Sequence, residues 1–492
     1  MLLITGARVL SADALSAPHG DILIDKGRIA AILAPGEGPS DVQRHDAANR
    51  LIIPGLINAH THGHGGLGKG AGDRWDLALL LAHAPWLNGG RGTEEKRLST
   101  LLTAVENLKK GTTGGFDMTA EFPGPTPDGL DAMAEAYETV GLRMVLAPMV
   151  ADLTFFEATP GLLDSLPAEH RVRAAALKMP PAAETLGVIA RVASSWSHPG
   201  VLLGIAPTIP LHGTEEFLRG CRALSERFGI PMQTHVAEAR YQAAGAAARY
   251  GRTLLAEMDR LGCVGPWFSV AHGVWLTDDD LDLLAARGGG LAHNPGANMR
   301  LASGVAPVRK ALARGIRVGL GTDGSSSSDN QNMFEAMRLA AFASRLWEDA
   351  AEEEWLGTAE TVRLATAGSA SLFGMEAGVI AAGKHADLVF LDTTHINWAP
   401  FNDAANQLVF TEDGSAVSDV MVGGAWKLRD RAVLGLDEAK LASDAQEAAD
   451  RLRALNAPLR GWCEAVAPHI ACHCRALAKG WRGARRLLTE AP

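Results

Sequence analysis

From Pro54 to about Gly374 the chain alternates short apolar runs with longer helical stretches, and this alternation restricts its fold more than any other feature. The runs include Arg143-Met144-Val145-Leu146-Ala147, Val201-Leu202-Leu203-Gly204-Ile205, Ser269-Val270-Ala271, Gly290-Leu291-Ala292 and Val318-Gly319-Leu320. Helical stretches such as Asp131 to Val140 and Glu215 to Phe228 lie between them. Strand and helix in alternation mean parallel strands joined by crossovers. About eight such units favour a closed (β/α)8 barrel over an open doubly wound sheet. No Gly-x-Gly-x-x-Gly turn follows an early strand, which argues against a dinucleotide site.

The two ends have a different texture. Asp21-Ile22-Leu23-Ile24-Asp25 and Arg28-Ile29-Ala30-Ala31-Ile32 flank Lys26-Gly27, a hairpin signal. Short strands return at Leu388-Val389-Phe390-Leu391, at Val417 to Val422 and at Ala425 to Leu428. One small β domain assembled from residues 1–53 and 375–435 is the expectation, around a barrel spanning 54–374. Residues 436–492 are rich in Ala, Leu and Arg and read as a helical tail.

A length of 492 residues allows more than one core, and a formal charge of −10 argues against a nucleic-acid or anionic-membrane partner. The first residues, Met1-Leu2-Leu3-Ile4-Thr5-Gly6, lack the basic and apolar regions of a signal peptide. No apolar run approaches the ~18 residues of a membrane span. Cys221, Cys263, Cys463, Cys472 and Cys474 are odd in number and unpaired in spacing, as in a cytosolic protein with reduced thiols. Cys472-His473-Cys474 has the look of a metal clip, but it lies in the helical tail with no second clip nearby.

In a parallel barrel the C-terminal strand ends converge on one mouth. The first run, Pro54-Gly55-Leu56-Ile57-Asn58-Ala59, ends in His60-Thr61-His62, and residues i and i+2 of a strand share a face. Pro231 to Thr234 leads into His235, with Glu238 three residues on; Ser269-Val270-Ala271 leads into His272. The next run ends in His293-Asn294, and the last in Gly321-Thr322-Asp323-Gly324. Taken singly, each has an ordinary structural reading: a hydrogen-bonded histidine, a turn aspartate, a helix cap. Their joint occurrence in strand order calls for chemistry. Three neutral imidazoles and a carboxylate suit one divalent metal, zinc or otherwise iron(II). His60, His62, His235 and Asp323 are the expected ligands. A metal-bound water ionises near neutral pH and becomes a hydroxide nucleophile. Glu238 suits proton transfer to the leaving side, His272 a hydrogen bond to the water or the developing oxyanion, and Asp323 acceptance of the water proton.

These segments, Pro-Gly-Leu-Ile-Asn-Ala-His-Thr-His, His-Val-Ala-Glu, Ala-His-Gly-Val-Trp-Leu, His-Asn-Pro-Gly-Ala-Asn and Gly-Thr-Asp-Gly, resemble the amidohydrolase superfamily from the N-terminal strands to about Lys427. The resemblance is greatest to its cytosine-deaminase-like branch, which holds triazine chlorohydrolases, adenosylhomocysteine deaminases and guanine deaminases. It implies a distorted (β/α)8 barrel beside a β-sandwich made from both chain ends, one catalytic metal on the four residues above, and a dimer or larger assembly. It implies proton transfer by Glu238 and His272 and places Asn298 near the substrate. Dinuclear members carry a carboxylated lysine at the end of the fourth strand. Here that strand runs through Val201 to Ile205 and on towards His212 without one, and Lys178 lies upstream. Many deaminases of the branch have a histidine or aromatic residue where Thr208-Ile209 stands, so this pocket departs from theirs.

Hydroxide attack on an amine-bearing sp2 carbon fits the set, which makes aminated purines, pyrimidines, pteridines and triazines the expected substrates. Chloride, an alkylamine or a ring amide could be the group displaced instead. A binding protein that had lost catalysis would be expected to have lost part of the set. His64, Trp86, Asp117, Asp152, Phe155, Phe156 and His212 are candidates for the pocket, the aromatic ones by stacking on a flat ring. Ser325 to Asn330 either lines the site or forms a turn and helix cap.

Overall fold

The Lys26-Gly27 hairpin forms as its sequence dictates. In the computed structural model, which describes residues 1–347 and 351–479, both residues have positive φ, 47° and 78°. That is the backbone a two-residue primed turn requires. A Cβ on Gly27 would sit 2.6 Å from the Gly423 carbonyl oxygen, so glycine also permits the close approach of the two chain ends.

The ends build one sheet. Strands β1 (Leu2–Val9), β2 (His19–Asp25), β3 (Arg28–Leu33), β4 (Gln43–Asp46) and β5 (Arg50–Pro54) come from the N-terminal part. After β6 (Leu56–His62), β7 (Thr112–Thr119), β8 (Arg143–Val150), β9 (Val201–Leu203), β10 (Ala206–Pro207), β11 (Met232–Val236), β12 (Phe268–His272), β13 (Gly290–His293), β14 (Arg317–Leu320) and β15 (Asp323–Gly324), the chain returns with β16 (Leu388–Asp392), β17 (Val417–Val422), β18 (Ala425–Arg429) and β19 (Ala432–Val433). The terminal strands pair in the order β19-β18-β17-β16-β5-β1-β2-β3, with β4 on β1. The two chain ends meet where β5 and β16 run antiparallel, Ile52 opposite Phe390. Alternation then divides the sheet between two cores. Leu51, Ile53, Val389 and Leu391 join the large central core, whereas Ile52, Leu388 and Phe390 pack with Ile4, Ile22 and Met421 on the other face.

The middle strands are all parallel, in a six-stranded sheet (β10-β8-β7-β6-β15, with β9 on β8) and a four-stranded one (β11-β12-β13-β14). Ile205 bridges to Met232, and the chain runs from β14 directly into β15, which pairs with β6. The path therefore returns to its first strand. Helices follow the strands, among them Thr93–Lys109, Pro127–Val140, Glu215–Phe228, Arg240–Tyr250, Asp278–Ala286 and Met333–Ala343. Several begin on a threonine whose hydroxyl accepts from the third residue on, as Thr214 does from Phe217 N. This is a TIM-barrel-like α/β fold.

The tail forms two helices, Glu438–Leu455 and Ala457–Lys479; residues 480–492 of that expectation lie outside the described residues. The second helix packs Trp462, Val466 and Ile470 against Leu77, Ala78 and Phe156. Each fully buried side chain of this kind contributes ~1.5–3 kcal/mol. The helix Leu77–Asn88, which forms one wall of the mouth, is thereby fixed from behind.

Candidate active site

The strand-end residues converge. The coordinating atoms of His60, His62 and His235 lie within 4.8 Å of one another, and so do those of His60, His272 and Asp323. Strand alternation brings His60 and His62 to one face of β6; β15 then places Asp323 opposite Thr61, between them. His272 and Asp323 hold φ of 70° and 63°, and Ala237, beside Glu238, holds 50°. Left-handed backbone at non-glycine residues is costly and clusters where function over-determines geometry.

Hydrogen bonding decides how the imidazoles present themselves. His60 Nδ1 lies 2.7 Å from Gln233 Oε1, His62 Nδ1 2.6 Å from the Met118 carbonyl and His235 Nδ1 2.6 Å from the Thr208 carbonyl. Gln233 spends its NH2 on the Ala59 carbonyl and the Ser269 hydroxyl, so its Oε1 is the acceptor. With an oxygen acceptor at each Nδ1, the proton sits there in all three rings. Their Nε2 lone pairs then face one spot. His62 Nε2 stands 3.3 Å from His235 Nε2 and 3.0 Å from Asp323 Oδ1, and His60 Nε2, buried without a hydrogen-bond partner, is 3.5 Å from that same oxygen. Burial lowers the His62 pKa, but the hydrogen bond and charge of Asp323 outweigh it and raise it, so this crowded point favours a cation, a proton on His62 or a metal ion. The residues fit a divalent metal, with outer partners fixing each ring as metal sites require.

His272 Nδ1 faces Asn298 Oδ1 at 2.9 Å, which leaves Nε2 as an acceptor 3.8 Å from Glu238 Oε2 and 3.7 Å from Asp323 Oδ2. Burial lowers the His272 pKa to about 4 and holds His235 well below the ordinary range, so both rings are neutral. Burial, then the Asp323 charge, pushes Glu238 well above the carboxylate range. Glu238 does not cap the following helix. Gln242 Oε1 accepts from the backbone N–H of both Glu238 and Ala239, which frees the Glu238 carboxyl.

Beside this cluster opens a cavity of about 470 Å3. His64, Phe155, Phe156 and His212 line it, as do Ser326 and Ser327. His64 Nδ1 accepts from Ala120 N at 3.0 Å, so Nε2 bears the proton of this neutral ring. Trp86, Asp117, Asp152 and Asn298 are not among the lining residues. Trp86 packs behind the wall and donates to His83 Nδ1. Asp117 is buried beneath, accepting from Gly63 N and the Tyr137 hydroxyl, with its pKa raised by burial to about 6. Asp152 accepts from the N–H and hydroxyl of Thr214, the cap of the Glu215–Phe228 helix. Asn298 meets His272 rather than the cavity. The cap of the Met333–Ala343 helix is Asn332, not the Ser325 to Asn330 run. Lys178 is spent on Glu157 and His473 on the Pro160 carbonyl, and all five cysteines are free.

Sequence reasoning missed two glutamines. Gln233 was within reach, because it shares the β11 face with His235 two residues on. Gln331 carried no signal. Fully buried, it accepts from the Thr61 and Thr322 hydroxyls, both at 2.7 Å, and donates to the Asp323 carbonyl at 2.9 Å. It ties the β6 end to the β15 end beneath His60, His62 and Asp323.

A TIM-barrel-like fold whose strand ends present inward-facing imidazoles, a carboxylate and a buried glutamate is that of a metal-dependent hydrolase. Residues 51–427 match the model of the amidohydrolase family. The chain belongs to that family. It is 32% identical over 461 residues to a 5'-deoxyadenosine deaminase of Methanothermobacter thermautotrophicus, covering 92% of this chain and 98% of the relative. It is 31% identical to an 8-oxoguanine deaminase of Pseudomonas aeruginosa, covering 90% and 97%. Among solved structures, the atrazine chlorohydrolase of Arthrobacter aurescens TC1 complexed with zinc aligns with a TM-score of 0.81 at 25% identity, over 91% of this chain and all of that one.

Proposed function

We propose that this protein is an aminohydrolase that removes an amine from an sp2 carbon of a nitrogen heterocycle. The observation that carries the reading is the convergence of three Nε2 atoms and Asp323 on one point, beside the buried Glu238 and a cavity of about 470 Å3. His60, His62, His235 and Asp323 hold one divalent ion, with zinc as our assignment, supported by the zinc in the chlorohydrolase structure. When bound, that ion supplies a water acidic enough to attack near neutral pH and polarises the reacting centre. His272 Nε2 accepts a hydrogen bond from the attacking water and orients it. Asp323 Oδ2 accepts the first proton the water loses, and Glu238 gives its own to a ring nitrogen as the tetrahedral centre forms. As the C–N bond breaks, Asp323 passes its proton to the departing amine and Glu238 recovers one from the hydroxyl that becomes the carbonyl. His64 Nε2 donates to the ring from the cavity side.

Ammonia release by the zinc-loaded protein across aminated purines, pyrimidines, pteridines and triazines tests this. Ammonia from one ring class establishes the deaminase; none from any, with metal bound, removes it. A second reading, displacement of chloride or an alkylamine from a triazine-like ring, draws on the chlorohydrolase likeness and on the apolar cavity; chloride or alkylamine in the products would establish it. For the whole chain we propose a distorted (β/α)8 barrel at 54–374, a β-sandwich domain from 1–53 and 375–435, and a homo-oligomer in the cytoplasm. No helix among the described residues is long and apolar enough to cross a membrane.

A further inference from the structure

The cavity has two unlike ends. Its inner end is the imidazole and carboxylate cluster; its outer lobe is walled by Leu77, Leu80, Leu81, Met149, Phe155 and Met179. The charged and polar side chains of that lobe are already engaged. Glu121 Oε2 holds Lys96 at 2.5 Å and the Thr126 hydroxyl at 2.7 Å. Lys178 holds Glu157 at 2.5 Å, the Thr154 hydroxyl donates to the same carboxylate, and Asn88 donates to the Ala84 carbonyl. Among the described residues that line the cavity beyond the inner cluster, the Thr208 and Ser326 hydroxyls and the His212 imidazole make no side-chain hydrogen bond, and His212 is neutral because burial lowers its pKa to about 4. No free cation awaits a carboxylate or phosphate, and no free carboxylate awaits a sugar diol. Placing such groups in this lobe would strip their water without replacing it. The lobe is also built in advance. The tail helix backs the Leu77–Asn88 wall, and Trp462 meets Phe156 at 5.9 Å between ring centroids.

We propose that the ring carries an uncharged apolar arm, an alkyl or aryl substituent, which the lobe takes in preference to a carboxylate, phosphate or sugar. This rests on the reading of the inner end as a site for a nitrogen heterocycle. It names Leu80, Leu81 and Phe155 as residues that set specificity by burying the arm. Each buried methylene is worth about fourfold in affinity, so a propyl arm is worth about 50-fold over the bare ring.

The test uses the zinc-loaded full chain and two matched series. One is adenine, 9-propyladenine, 9-(2-carboxyethyl)adenine and adenosine. The other is melamine with its N-propyl and N-(2-carboxyethyl) derivatives. Both calorimetric binding and ammonia release are measured. The expected order in at least one series is propyl above the bare ring by about 50-fold, with carboxyethyl and ribosyl at or below the bare ring. A carboxyethyl or ribosyl compound that binds as well as its propyl partner overturns the proposal, as does the absence of binding in both series. Binding in the expected order without ammonia leaves this inference standing and counts against a deaminase of purines or triazines; ammonia with the carboxyethyl compound preferred overturns this inference and leaves the deaminase reading standing. Leu81→Arg should narrow the propyl-to-carboxyethyl ratio about tenfold by supplying the missing cation. Leu80→Arg makes the same test if Leu81→Arg does not fold, and an unchanged ratio in a folded variant counts against the lobe.

Discussion

Replacing Asp323 by asparagine should abolish the protein's stabilisation by zinc while leaving the metal-free protein folded. Asp323 Oδ1 faces His62 Nε2 at 3.0 Å and His60 Nε2 at 3.5 Å and accepts from Gly324 N at 2.7 Å. An asparagine Oδ1 can keep the Gly324 bond, but it brings no charge to the three imidazoles. Zinc at a thousandfold over its dissociation constant adds about 4 kcal/mol to wild type; it should add almost nothing once the anionic ligand is gone. The assay is the unfolding midpoint of both proteins near pH 8, chelated and zinc-loaded. The expected result is a midpoint that zinc raises in wild type and leaves unchanged in Asp323→Asn. An equal zinc response in both refutes the assignment of Asp323 to the metal.

Glu238→Gln should keep full metal content and lose turnover by about 10²-fold or more, because the amide cannot carry the proton; metal analysis beside steady-state kinetics checks it. Gln331→Leu leaves the Thr61 and Thr322 hydroxyls to share the Asp323 carbonyl, at 3.3 and 3.1 Å. The expected loss is about 3 kcal/mol in denaturant unfolding, with kcat reduced more than KM rises. His198 lies 3.0 Å from Glu138 and 3.4 Å from Asp131; burial lowers its pKa, but the two carboxylates outweigh that and raise it. Its contribution to stability is therefore full below about pH 6.5, the unfolded value, and disappears as pH rises through the raised folded one. The midpoint difference between wild type and His198→Gln should be larger near pH 5.5 than near pH 8.5, and equal differences would show that the pairs do not stabilise.

Much of this candidate site was legible because His60, His62, His235, His272 and Asp323 sit at strand ends. Period-two alternation puts His60 and His62 on one face, and a parallel barrel brings the ends of β6, β11, β12 and β15 to one mouth, so strand order alone gathered His235, His272 and Asp323. The hairpin at Lys26-Gly27 and the shared terminal sheet were legible for equally local reasons. What escaped was contact made across the fold. Asp117 and Asn298 lie on the expected segments but bond inward, to Tyr137 and His272, because a polar group next to the mouth can serve the frame as readily as the ligand. Trp86 points behind its helix because the tail, far off in sequence, supplies an apolar surface there. Gln331 sits in a polar run that reads as loop, and only the fold reveals its hold on two strand ends.

X-ray absorption at the zinc edge of the zinc-loaded protein, with metal counted per chain, tests the central claim most directly. One zinc per chain with nitrogen and oxygen neighbours alone at about 2.0–2.1 Å, several of them imidazole, is the expected result. Sulfur neighbours at about 2.3 Å, or no stoichiometric zinc, would contradict a centre built from His60, His62, His235 and Asp323.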